Sequence, residues 1–205
     1  MKVEGSIKQE HILDAAIKRF SYFGVHKTKL TEIAEDLAIS KPLLFYYFQD
    51  KQSLINAVAG KIMSEFLSAA EKGLTSATSV EIGLANLVAI KREHLKKYFL
   101  LALQADTIDL QNVSGDVPAM HQDIQLQLIE LIAKLLQKGI DEHQLRPVDT
   151  SKTSQLLVET LSAFEYHLKR KHSLPRLTDI DAVFDKQLEV IQMFLQGLKQ
   201  PEWKN

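Results

Sequence analysis

The stretch Lys27–Leu54 reads KTKLTEIAEDLAISKPLLFYYFQDKQSL. Leu30, Ile33, Ala34 and Leu37 recur in it at helical spacing. Thr28 precedes them, and its hydroxyl can accept from the free N–H groups of a helix start. Ala38-Ile39-Ser40 makes a turn. Ser40 then caps a second short helix, with Pro42 in its first turn, where a missing N–H costs little. Leu44, Phe45 and Phe48 are expected on the inner face of that helix, and Lys41, Tyr46 and Tyr47 on the outer one. A short helix with phenols and a lysine near its N-terminus has the shape and chemistry to enter a DNA major groove. Asp50 is placed to cap a third helix, which begins at Lys51.

As a set, Thr28, Thr31, Ile33-Ala34, the turn ending at Ser40, Leu44, Tyr46, Tyr47-Phe48, Lys51 and Leu54 resemble the helix-turn-helix of the TetR family of bacterial transcription regulators. Upstream, Ile12-Leu13-Asp14-Ala15-Ala16, Phe20 and Gly24 match that family's first helix. The resemblance covers about the first 60 residues, and beyond them it lies only in length and helical pattern. Ala38 stands where the family usually has a turn glycine, Pro42 and Leu43 replace a common Gly-Thr or Gly-Ala pair, and Phe45 replaces a frequent tyrosine.

The resemblance implies an all-α protein. A DNA-binding domain would span 6–66, with its helix-turn-helix at 29–48, and an effector-binding and dimerisation domain would span 67–205. It also implies DNA contacts from Thr28, Ser40, Lys41, Pro42, Leu43, Tyr46, Tyr47 and Lys51. Among these, Lys41 can donate to guanine, and Pro42 or Leu43 can touch a thymine methyl. Thr28, Tyr47 and Lys51 are expected at phosphates, which position a protein on DNA without reading its sequence.

Composition sets the outer bounds. The 205 residues are 45% hydrophobic, enough for a core in one or two domains. There is no cysteine, so disulfides and thiolate metal sites are excluded. The polar start, MKVEGSIKQEH, is unlike a secretory signal. No apolar run approaches the roughly 18 residues needed to span a bilayer. A soluble, cytoplasmic protein is therefore expected. Net charge is −1. The first 51 residues hold eight lysines and arginines against seven acids, so DNA affinity has to come from the placement of charges and not from their sum.

The rest of the chain reads as further helices. Ser6 and Gln9 form a capping box for a helix carrying Ile12, Ala16, Ile17, Phe20 and Phe23, which Gly24 ends. The helix from Lys51 to about Gly73 has a broad apolar face, and Gly60 within it suggests close helix packing. Thr78 and Glu81 form another box, opening a helical stretch to Leu103 with a break expected near 92–95. The segment 105–117 reads as a loop. Pro118 opens a helix to about Ile140, Pro147 marks a connector, and a helix follows from about Thr150 to His172. Thr178 and Asp181 suggest a box for the last helix, to about Lys199. Its stripe of Phe184, Leu188, Ile191, Leu195 and Leu198, spaced 4, 3, 4 and 3, is a coiled-coil-like seam. Such a seam can pack inside its own domain. The resemblance implies instead that the last two helices pair with their copies in a four-helix bundle.

Catalytic signals are missing. None of the seven histidines has a partner at the i, i+4 spacing of a helical zinc site. There is no nucleophile elbow and no glycine-rich phosphate loop. Neither an enzyme, a metal site nor a cofactor is expected. The expected function is a transcriptional repressor that binds palindromic double-stranded operator DNA as a homodimer, with no membrane partner. A small, mainly apolar or aromatic ligand would release it. By resemblance, the ligand's wall would draw on Met63, Phe66, Tyr98, Leu101, Gln104, Met120, Ile124 and Phe164. The alternatives are an effector-free architectural or cell-division factor on the same fold, and an enzyme or binding module without DNA function.

Overall fold

A computed structural model describes the backbone of residues 2–105, 116–171 and 176–199, and the side chains of 8–103, 116–166 and 176–199. The described residues form helices and no strand: α1 (Lys2–Phe23), α2 (Leu30–Asp36), α3 (Lys41–Tyr47), α4 (Lys51–Thr75), α5 (Val80–Lys97), α6 (Phe99–Ala105), α7 (Val117–Asp141), α8 (Thr150–Lys171) and α9 (Leu177–Leu198). The all-α expectation holds. Most of the loop expected at 105–117 lies outside the described residues.

Several helix starts differ from expectation. α1 begins at Lys2, so Ser6 lies inside it and not at its start. Lys29, not Thr28, stands before α2, and its N–H donates to Glu32 Oε2 at 2.9 Å. For α5 the cap is Ser79, whose Oγ accepts from Ile82 N at 3.2 Å, and not Thr78. For α9 it is Arg176, whose N–H donates to Asp179 Oδ2 at 2.8 Å. At α5 a neighbouring hydroxyl reaches the free N–H group, and at α2 and α9 the first-turn carboxylates of Glu32 and Asp179 reach back to the cap residue's N–H. The break expected near 92–95 comes later, at Tyr98 between α5 and α6.

The chain divides into two compact units. The first comprises residues 1–64 and 97–121, the second 65–96 and 122–205. An N-terminal domain of 6–66 alone omits α6, which packs on α1 within the first unit. The core of this unit joins Ile12, Leu13, Ala16 and Phe20 of α1 to Ile33, Ala34, Leu44, Phe48, Leu54 and Val58, with Leu101 of α6 against it. Phe23, expected on the inner face of α1, is exposed, and Leu13 takes an inner place instead. Gly60 is not at a close contact either, since a Cβ there would meet nothing within 4 Å.

In the second unit α5 and α7 approach closely at two glycines. A Cβ on Gly83 would come within 2.6 Å of Leu135, and one on Gly139 would collide with Val80. Lys138 Nζ donates to Ala77 O at 3.0 Å, and Val80 N donates to Gln144 Oε1 at 3.1 Å. α8 packs against α9.

Candidate nucleic-acid interface

The turn between α2 and α3 is built from backbone hydrogen bonds. Ala38 N donates to Glu35 O at 3.1 Å and Ile39 N to Ala34 O at 3.0 Å. This pair is the Schellman pattern, which normally places glycine in the left-handed conformation. Here Ala38 occupies it, at φ 51°. Ser40 then caps α3 as expected, its Oγ accepting from Leu43 N at 3.3 Å, with Pro42 in the first turn. Asp50 starts α4 as expected, its Oδ1 accepting from Ser53 N at 2.6 Å.

These caps fix the rotation of α3. Leu44 is fully buried and Phe48 is 3% exposed. Tyr47 is half-buried and packs against the core. Its ring meets that of Tyr46 edge-on, with centroids 5.3 Å apart. Lys41 and Pro42 are exposed, Leu43 is half-buried, and Tyr46 is 80% exposed. Phe45 departs from expectation. Placed inside by the sequence reading, it is 42% exposed. It stands three residues after Pro42, one turn along the same face.

Two other expected DNA contacts are occupied within the chain. Thr28 is buried, and its hydroxyl donates to Gly24 O at 2.9 Å, so this hydroxyl holds the loop after α1 and does not point outward. Gly24 ends α1 as expected, at φ 83°. Lys51 Nζ donates to His26 O at 3.0 Å.

Charge placement answers the near-neutral balance of the region. Arg19 of α1 holds Asp36 through two hydrogen bonds, at 2.5 and 3.0 Å, and pairs with Glu32 at 3.2 Å. The hydrogen bond from Arg19 is the main reason that the Asp36 carboxyl sits below its usual range. Lys61 of α4 pairs with Glu10 and with Asp14, and these hydrogen bonds raise its own pKa against the effect of burial. Four of the seven acids in the first 51 residues are thus neutralised locally, while Lys27, Lys29 and Lys41 stay exposed. The sequence reading missed Arg19 and Lys61, since their partners lie 17 and 51 residues away.

The expected dimer seam is corrected. Phe184, Ile191, Leu195 and Leu198 are buried within the single chain, and Leu188 is half-buried. Fully buried Gln187 continues this inner face of α9, donating to Leu161 O at 2.9 Å and Glu165 Oε1 at 3.0 Å of α8. The seam is a contact between neighbouring helices of one chain. Other apolar residues face outward on α8 and α9, Leu156 at 57% exposure and Met193 at 71%.

The expected ligand-wall residues fall in both units. In the first, Tyr98 is buried, Leu101 packs on the core, and Met63 and Met120 are half-buried. In the second, Phe66, Ile124 and Phe164 are half-buried, and the Phe66 ring lies 5.4 Å from that of His94. The side chain of Gln104 lies outside the described residues. Among the described residues no three His, Asp or Glu groups are placed to hold a metal, and no helix is long and apolar enough to cross a membrane.

Residues 12–58 match the model of the bacterial regulatory proteins, tetR family. The chain is 25% identical over 199 residues to the HTH-type transcriptional regulator RutR of Escherichia coli O157:H7, covering 95% of this chain and 92% of that one. Its fold is similar to that of a transcriptional regulator from Cytophaga hutchinsonii, with TM-score 0.82, 24% identity and coverage of 94% of this chain and 99% of that one. It is also similar to a TetR-family regulator from Mesorhizobium loti, with TM-score 0.74, 19% identity and coverage of 96% and 98%.

Proposed function

We propose a mechanism for this chain from the premise that it belongs to the TetR family and is a DNA-binding transcriptional regulator. It acts in the cytoplasm as a homodimeric repressor. Each copy inserts α3 into the major groove at one half of a palindromic operator. Half-sites one helical turn apart, or a multiple of that, match a two-fold protein. The observation that carries this reading is the setting of α3. Ser40 caps it, Leu44 and Phe48 anchor it, and Lys41, Pro42 and Tyr46 are exposed on its outer face. The copies meet through the outward residues of α8 and α9, with Leu156 and Met193 at the centre. Tyr46 and Lys41 serve base edges, while Tyr47 and the exposed Lys27 and Lys29 serve phosphates.

A small, mainly apolar or aromatic effector releases the repressor. Its binding residues in the second unit include Phe66, Ile124 and Phe164, which are apolar and only half-buried. Ligand sites combine an apolar lining with a few polar groups.

Band-shift against the promoter region next to the protein's own gene tests the DNA half. Thermal-shift screening of apolar and aromatic compounds, read with Phe66→Trp fluorescence, tests the effector half. By linkage, operator DNA must weaken a true effector by the factor with which the effector weakens DNA. An unchanged melting temperature across the panel would favour the effector-free factor. Ligand affinity unaltered by saturating DNA would rule out induction.

A further inference from the structure

Phe45 is an apolar ring on the DNA-facing helix that its own fold leaves 42% exposed. We propose that it reads thymine. On this assignment its ring, with Pro42 one turn before it, packs against thymine 5-methyl groups in the major groove, and α3 selects A·T pairs at those positions by apolar contact. The inference rests on the DNA-binding reading above.

Three observations carry it. First, the rotation of α3 is set independently of Phe45. Ser40 fixes the start of the helix, and the buried Leu44 and Phe48 fix its inner face. With those two inside, Pro42, Phe45 and Tyr46 fall at i, i+3 and i+4 on the outer face, where Phe45 is 42% exposed and Tyr46 80%. Second, Phe45 carries no hydroxyl, so it has no hydrogen bond to offer a phosphate or a base edge. The thymine methyl is the one apolar group among the four standard base edges in the major groove, and hence the feature this ring can recognise. Third, the rest of the face does not compete for other readings. The sequence KPLLFYY contains no carboxylate to accept from cytosine N4, and its only cation is Lys41 at the start. The Glu32 and Asp36 carboxylates of α2 are tied to Arg19, and beyond Lys41 the outer face of α3 presents only apolar and phenolic groups.

The test uses the purified full-length protein. Duplexes are selected from a random library. In the best duplex each thymine is then replaced in turn by uracil, which removes only the methyl group. Wild-type protein should lose roughly fourfold in affinity per contacted methyl, the factor expected for one buried methylene-sized group. Phe45→Ala should bind thymine and uracil duplexes alike at those positions, and Phe45→Leu should keep part of the discrimination. Phe45 is 42% exposed and stands outside the core of its unit, so both variants should still unfold cooperatively, Phe45→Leu close to the wild-type midpoint. Uracil tolerated everywhere by the wild type would overturn the proposal. So would Phe45→Ala keeping the full methyl dependence. A library yielding no enriched duplex would instead remove the DNA-binding reading, and this inference with it.

Discussion

Lys51 Nζ donates to the backbone carbonyl of His26 at 3.0 Å, tying the first turn of α4 to the loop between α1 and α2. Burial lowers the pKa of this ammonium, and the charge of Glu32 acts in the opposite direction. The same loop is held from its other side by Thr28, which donates to Gly24 O. Lys51→Met removes the charge-assisted bond and should cost about 1–2 kcal/mol in urea unfolding. On the proposed docking of α3 the loop beside the start of α2 meets only phosphates, so the variant should weaken all DNA sequences by a similar factor. A loss confined to the operator would assign Lys51 to base readout.

Acid should weaken the clamp between α1 and α2. Asp36 has its folded pKa depressed, first by the hydrogen bond from Arg19 and then by its charge. Its contribution is therefore fully present above the unfolded carboxylate value, near 3.9, and is lost as pH falls through the lower folded value. Asp36→Asn should melt below the wild type at pH 7, and the gap should shrink as pH falls below about 4. Thermal melts from pH 2.5 to 7 measure this. A gap of constant size would assign the effect to packing and not to the ion pair.

The outward residues of α8 and α9 and the inward face of α9 should separate association from folding. Met193→Glu combined with Leu156→Glu should give a folded monomer that no longer binds a palindromic duplex. Phe184→Ala should cost about 3–5 kcal/mol, the usual range for emptying a buried phenylalanine site. Sedimentation and circular dichroism distinguish the two outcomes. An intact dimer in the double glutamate variant would place the interface elsewhere.

Three small residues should respond according to their surroundings. Gly60→Ala puts a Cβ into open space within α4 and should stabilise by about 0.5–1 kcal/mol. Gly139→Ala drives a Cβ into Val80 and should destabilise by about 1–3 kcal/mol. Ala38→Gly relieves a left-handed alanine at φ 51° and should stabilise by up to about 1 kcal/mol. Urea midpoints at constant slope provide the comparison.

The features legible in the sequence are those fixed by groups a few residues apart. Ser40 and Leu43, Asp50 and Ser53, and the left-handed Gly24 after α1 close their hydrogen bonds within one turn, so their spacing alone identifies them. The periodic apolar residues of α1 and α2 were legible for the same reason. Where two neighbouring hydroxyls could both serve as a cap, as with Thr78 and Ser79, only the folded backbone chose between them.

Tertiary structure decided the rest. Leu43 to Phe48 is an unbroken apolar and aromatic run, so its pattern cannot say which side faces the core. The packing of Leu44 and Phe48 turned Phe45 outward. The stripe on α9 has the same spacing whether its partner is α8 of the same chain or a helix of a copy. Burial of Phe184 and Ile191 within one chain resolved that ambiguity. The neutralising pairs of Arg19 and Lys61 depended on contacts between helices far apart in sequence. Periodicity shows that a helix has an apolar face, but the identity of what covers that face is a property of the folded chain.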